Sequence, residues 1–241
     1  MVVNIFGKNS KKYDSIRHDY PAESIEYIKN LSKGYRVLDL GCGTGISTRQ
    51  LMEIGYNVTG IDGDDEMINI AKDYCDRIKY TVSFAESLPF ENESFDMVTA
   101  FGSFHWFCNE KAISEIKRVL VNGGMFIVVN KWDTGKYFEI LKNVLRKFEC
   151  ENPGSVKQAY IPEDILTKNG FIDINKKIFN CVEQYGVDEI VAHAQTSALW
   201  NYVSQDKKFR VIDELKREYL FVSNGGNFSR ELDVVIVSGI K

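Results

Sequence analysis

The residues of this chain best suited to chemistry begin with Val37-Leu-Asp-Leu-Gly-Cys-Gly-Thr-Gly45, an apolar run that breaks into glycines at positions 41, 43 and 45. Glycine takes positive φ angles and lets a ligand approach where a Cβ would clash. This backbone is therefore made for close contact with a nucleotide-like molecule. Asp62 closes the next apolar stretch, Asn57 to Ile61. It lies about 20 residues beyond Gly41, the separation expected of a carboxylate that accepts ribose hydroxyls. The dinucleotide fingerprint ends in Gly or Ala for close helix packing, and this chain has Ile46 there, which favours a ribose over a pyrophosphate. A third cluster is Ala100-Phe-Gly-Ser-Phe-His-Trp-Phe107, a histidine among aromatic residues at the end of a predicted strand. His105, with an ordinary pKa near ~6.5, could take a proton from a hydroxyl or amine, hydrogen-bond a ligand, or serve structure alone. Phe101 and Phe104 read equally well as core.

The run VLDLGCGTG, Asp62 ending the next strand, Ala85-Glu-Ser-Leu-Pro-Phe90 and Phe95 to Trp106 together resemble the class I S-adenosylmethionine-dependent methyltransferases. Within these, the chain looks most like the small-molecule branch that includes trans-aconitate methyltransferases. The resemblance spans residues 36 to 130 and thins after 150. It implies that S-adenosylmethionine is the donor and S-adenosylhomocysteine the product. The implied cofactor residues are Asp39, Gly41, Cys42, Gly43, Asp62, Gly63, Met67, Ala85, Glu86 and Phe101, with Ser103, His105 and Trp106 in the substrate pocket. For Asp39 the alternative is a strand-end acid fixing the turn, for Met67 core filling, and for Glu86 a surface acid. Lys12 to Pro21 resembles a family segment that folds over the cofactor, with Tyr13 and Arg17 closing the site. The family commonly has Pro after that arginine, where this chain has His18.

The elements that must position these residues follow from periodicity. Strands are expected near 36–40, 57–61, 78–82, 95–101, 124–130, 171–179 and 232–239. Helices are expected over Ala22–Leu31, Thr44–Ile54, Asp65–Tyr74 and Lys111–Leu120. Alternation of this kind predicts an α/β, doubly wound, Rossmann-like, seven-stranded and mostly parallel sheet, since parallel crossovers bury both faces. Val187–Tyr202 and Asp206–Leu220 read as two extra helices between the sixth and seventh strands, a helical cap over 186–222. His193, Trp200 and Tyr202 fall there, as cap packing or as substrate contacts. The whole chain, 1–241, reads as one domain with an N-terminal segment, 1–35, closing the site.

Net charge is −4 over 241 residues, with Lys and Arg scattered among acids. A large nucleic-acid footprint is therefore disfavoured. Five widely spaced cysteines with no CxxC frame neither a disulfide scaffold nor a metal site. No apolar run nears the ~20 residues of a membrane span. The expectation is a cytoplasmic protein, monomer or homodimer, acting on a small molecule, with no metal, membrane or nucleic-acid partner. The competing readings are a nucleic-acid methyltransferase, an NAD-dependent oxidoreductase and a non-catalytic S-adenosylmethionine-binding module.

Overall fold

The computed structural model describes residues 10–31, 34–150 and 160–241. Residues 1–9 and 32–33 of the expected N-terminal segment lie outside the described residues. Strands β1 (Arg36–Leu40), β2 (Asn57–Asp62), β3 (Lys79–Val82), β4 (Phe95–Phe101), β5 (Leu120–Asp133), β6 (Ile172–Gly186) and β7 (Asn227–Ile240) form one sheet. Their order is β3-β2-β1-β4-β5-β7-β6. The first five pair in parallel, while β7 runs antiparallel between β5 and β6. The sheet is thus mixed.

Around it lie α1 (Ser10–Ile16), α2 (Ala22–Leu31), α3 (Ile46–Glu53), α4 (Asp65–Tyr74), α5 (Glu110–Val119), α6 (Tyr137–Lys147), α7 (Pro162–Lys168), α8 (Val187–Gln195) and α9 (Lys208–Val222). Side chains alternate across each strand, so the sheet builds a core on each face. Leu38, Leu40, Val98, Phe126 and Val128 pack with Ile113 and Ile116 of α5. Val37, Met97, Ile127 and Val129 pack on the other face with Ile25 and Ile28 of α2 and Leu51 of α3. Central β4 is buried along nearly its whole length, as a strand covered on both faces requires. Local signals start the helices. Asp64 accepts from the N–H groups of Glu66 and Met67 to cap α4, and Asn109 accepts from Ala112 to cap α5.

The C-terminal third departs most from the expectation. β6 and β7 pair along almost their full lengths, well beyond 171–179 and 232–239. The expected helix Val187–Tyr202 is α8 followed by a separate 3₁₀ turn, Ala198–Tyr202. These helices and α9 join α6 in a third core that includes Tyr137, Leu141, Tyr185, Trp200, Leu215 and Tyr219. Trp200 is filling in that core, and Tyr202 is exposed. Helices α1, α6 and α7 add to the expected set.

Candidate active site

The turn after β1 uses its glycines for different ends. Gly41 has φ +65°, and a Cβ there would stand 2.6 Å from that of Ser103. Gly45 has φ +83°, and its Cβ would meet the Tyr80 hydroxyl at 2.5 Å. Packing demands both. Gly43 has φ +54° with no heavy atom within 4 Å of its Cβ position, so this is the face left open to a ligand.

Asp39 is fully buried, accepting from the hydroxyls of Ser47 at 2.9 Å, Thr48 at 2.7 Å and Thr99 at 2.8 Å. It ties the first turn of α3 to β1 and β4 and does not line the crevice. Burial pushes its pKa up to about 6, and the three hydroxyls pull the other way. Ser103 is likewise beneath the surface, its hydroxyl donating to the Leu40 carbonyl at 2.7 Å and fastening the loop after β4 to the end of β1.

Asp62 ends β2 and accepts from the backbone N–H groups of Gly43 at 2.8 Å and Asp64 at 2.9 Å. Burial raises its pKa, while these backbone bonds oppose the rise. A carboxylate offers about four acceptor positions, so Asp62 keeps acceptor capacity for ligand hydroxyls. Beside it the Phe84 ring leaves Gly63 no room for a Cβ, which would lie 2.7 Å from the ring. Met67 and Ala85 are buried next along this edge. Glu86 accepts from Asn109 Nδ2 at 2.8 Å, which fixes it to the start of α5. These residues cluster at the carboxyl ends of β2 and β3.

On the other side of the turn lies a cavity of about 690 Å³. Gly41, Cys42, Gly43, Thr44 and Ile46 form its floor by the turn, and Tyr13, Arg17, His18 and Tyr20 cover it. Phe101, Gly102 and His105 line it from β4, Asn130, Lys131 and Trp132 from β5, and Arg230 from β7. Tyr160, just before α7, completes this wall. The structure thus brings Tyr13, Arg17, Gly41, Cys42, Gly43, Phe101 and His105 together around one cavity. Trp106 stands outside the wall, half-exposed, its ring 4.8 Å from that of His105. No residue of 186–222 lines the cavity; Thr196 reaches it only through Arg17.

The residues missed by sequence reasoning are His18, Tyr20, Asn130, Lys131, Trp132, Tyr160 and Arg230. Asn130-Lys131-Trp132 could have been found as the polar break of an apolar strand at its carboxyl end, where open α/β sheets bind ligands. Arg230 had no such signal.

A buried charge network backs the far wall. Arg230 pairs with both oxygens of Asp133 at 2.7 and 2.9 Å and with Glu183 at 2.8 Å. Glu183 also accepts from Lys131 at 2.6 Å and from the Tyr185 hydroxyl at 3.0 Å. Burial pushes Glu183 upward, yet Lys131 and Arg230 hold its pKa below the usual range. Lys131 spends its other donors on the carbonyls of His18 and Asp19, at 2.9 and 3.1 Å. His193 is buried, with Nε2 3.1 Å from Arg230 Nη1 and Nδ1 2.7 Å from the Tyr137 hydroxyl. Arginine only donates, so Nε2 accepts and Nδ1 carries the proton. Burial first, then Arg17 and Arg230, hold its pKa well below the ordinary histidine value.

The N-terminal segment is strapped down over the cavity. Tyr20 and Gln50 exchange reciprocal hydrogen bonds at 2.9 and 2.8 Å, and Asp14 pairs with Arg49 at 3.0 Å. Arg17 donates to the side chain and carbonyl of Thr196 at 3.2 and 3.4 Å. Those contacts use only part of a five-donor guanidinium.

A mixed sheet whose parallel strands β1 and β2 end in a glycine turn and a carboxylate, with antiparallel β7 beside β5, is the plan of a class I methyltransferase. Residues 38–128 match a methyltransferase domain family. A methyltransferase-like protein of Schizosaccharomyces pombe is 30% identical over 209 residues, covering 84% of this chain and 81% of that one. A second methyltransferase of that yeast is 25% identical over 221 residues, covering 89% and 87%. The crystal structure of the YcgJ protein of Bacillus subtilis shares the fold, with a TM-score of 0.61 and 22% identity over 92% of this chain and 99% of that one. The chain belongs to this methyltransferase family, and its methyl donor is S-adenosylmethionine.

Proposed function

We propose that this protein transfers a methyl group from S-adenosylmethionine to a small-molecule acceptor held between the ends of β4, β5 and β7. The carrying observation is the juxtaposition of the glycine turn, tied to the acid Asp62 at the end of β2, with a cavity of about 690 Å³ that the same turn lines. The turn suits the donor, because Gly43 has space where a side chain would stand and Asp62, bonded to its N–H, keeps acceptor capacity beside it.

In this reading Asp62 takes the ribose hydroxyls, while Gly63, Met67, Ala85 and Glu86 bound the adenine. The main chain of Gly41, Cys42 and Gly43 cradles the methionine part, with Phe101 at its side. Tyr13 and Arg17 close the site, Arg17 offering its remaining N–H groups to an anion. Bound S-adenosylmethionine supplies a sulfonium methyl that the acceptor's lone pair displaces, the electrons of the broken C–S bond staying on sulfur. The protein's part is to exclude water and align the acceptor, which alone can lower a barrier by several kcal/mol. His105 holds the acceptor or takes its proton. The walled cavity and the net charge of −4 favour a small acceptor over nucleic acid.

Calorimetric titration with S-adenosylhomocysteine and with NAD tests the donor assignment, and release of S-adenosylhomocysteine across phenols, amines, carboxylates and sugars tests turnover. Binding of the first ligand alone, followed by product release with one acceptor class, is the expected result. NAD binding without S-adenosylhomocysteine binding would replace this reading with an oxidoreductase. Donor binding with no turnover across the panel would favour a non-catalytic module.

A further inference from the structure

Two of the three tryptophans in this chain are 45% exposed, and both belong to one ring cluster at the cavity mouth. Trp106 lies 4.8 Å from His105, His105 lies 5.9 Å from Tyr160, and Tyr160 lies 6.4 Å from Trp132. Separate elements supply them: the 3₁₀ turn after β4, the end of β5 and the residues leading into α7. His105, Tyr160 and Trp132 all line the cavity. A single exposed ring needs no explanation. Rings converging from three elements on one crevice, with large apolar surface left to water, mark a binding surface.

The sheet order says which ligand this surface serves. The glycine turn follows β1 and Asp62 ends β2, so in the proposed reading the donor extends from β1 towards β3. The ring cluster is on the opposite side, at β4 and β5. The polar group that Tyr160 contributes is also distinctive. The Tyr160 hydroxyl lies against the Asn130 side chain, and Tyr160 Oη and Asn130 Nδ2 have no partner beyond each other among the described residues. Both residues line the cavity, and two buried polar groups on a ligand wall with no further partner are placed to receive one polar atom.

We propose that the acceptor is a planar aromatic ring bearing an oxygen substituent, its ring against Trp132 and Tyr160 and its oxygen at the Asn130–Tyr160 pair. This inference rests on the methyltransferase reading for the acceptor's role. Aromatic pairs gain from offset-stacked and edge-to-face geometry beyond the area they bury. A saturated ring of the same size gains only the area.

Phenol and cyclohexanol share six ring carbons and one hydroxyl, and they make the test. Each is titrated into the full protein with and without saturating S-adenosylhomocysteine, read by calorimetry and tryptophan fluorescence. Phenol should bind about tenfold tighter than cyclohexanol and alter the emission. Trp132→Leu should abolish that preference and Trp132→Phe should keep it, with S-adenosylhomocysteine affinity unchanged in both. Equal binding of the two probes to the wild-type protein, binding of neither, or a preference that survives Trp132→Leu would each overturn the proposal. Failure of S-adenosylhomocysteine to bind would instead strike the methyltransferase reading, and the phenol titration without it still decides this one.

Discussion

The backbone N–H of Gly43 donates to the Asp62 carboxylate at 2.8 Å, joining the turn after β1 to the end of β2. This bond holds the acid beside the glycine turn and fixes Gly43 next to it. Hydrogen bonds to a charged carboxylate are worth about 1.5–3 kcal/mol each. Asp62→Ala should therefore weaken S-adenosylhomocysteine binding by about 10²-fold, measured by calorimetry. Unchanged affinity would remove the ribose role from Asp62.

The neighbouring glycines should separate packing from binding. Gly41→Ala places a Cβ 2.6 Å from Ser103 at φ +65°, so the thermal midpoint should fall with the loss of that fit. Gly43→Ala meets open space and carries mainly the backbone cost, about 1–2 kcal/mol. Its methyl would, however, intrude on the donor. Gly43→Ala should lose S-adenosylhomocysteine affinity out of proportion to its loss of stability, a ratio that denaturation and titration together measure.

Asp39 should give folding a specific pH dependence. A carboxyl raised to about 6 holds its proton more tightly folded than unfolded. Its stabilising contribution is complete below the unfolded value near ~3.9 and declines as pH rises to about 6. The loss is of order ~3 kcal/mol for a shift of this size. Asp39→Asn should flatten that part of the stability profile when urea midpoints are compared from pH 4 to 7.

How much of this could be read from the chain follows the range of the interactions. The glycine turn, Asp62 and the limits of β4 were legible because each has a local signature. The end of β5 was not. The polar run from Asn130 reads as a strand's end, yet β5 continues to Asp133 because Leu232 to Val234 of β7 pair with it. The reversal of β7 has no local sign, and β6, at the sheet edge, exposes most of its residues and so shows little apolar pattern. Arg17 was expected at the site, but its partner Thr196 lies 179 residues away. Asp39 was legible in position and ambiguous in role. Only its three hydroxyl donors, from α3 and β4, assign it to support.

The Arg230 network should behave as a buried ion cluster. Arg230→Met leaves Asp133 and Glu183 without their shared cation, and breaking such a pair typically costs ~3–5 kcal/mol. Urea denaturation should show a loss of this size at pH 7. S-adenosylhomocysteine affinity should change little, because the network stands at the β5–β7 end and Asp62 at β2.

His105 lines the cavity from the loop after β4, beside the ring of Trp106. His105→Ala should leave S-adenosylhomocysteine binding unchanged. General acid–base catalysis by one side chain contributes about 10²–10⁴-fold. If His105 removes the acceptor's proton, kcat should fall by at least ~10²-fold. The acid limb of its pH profile should vanish, and His105→Gln should not restore the rate. If it only holds the acceptor, KM rises, the pH profile keeps its shape and His105→Gln recovers much of the activity. A wild-type kcat and KM in His105→Ala would assign the histidine to structure, so a single variant pair read for kcat, KM and pH profile distinguishes the three roles.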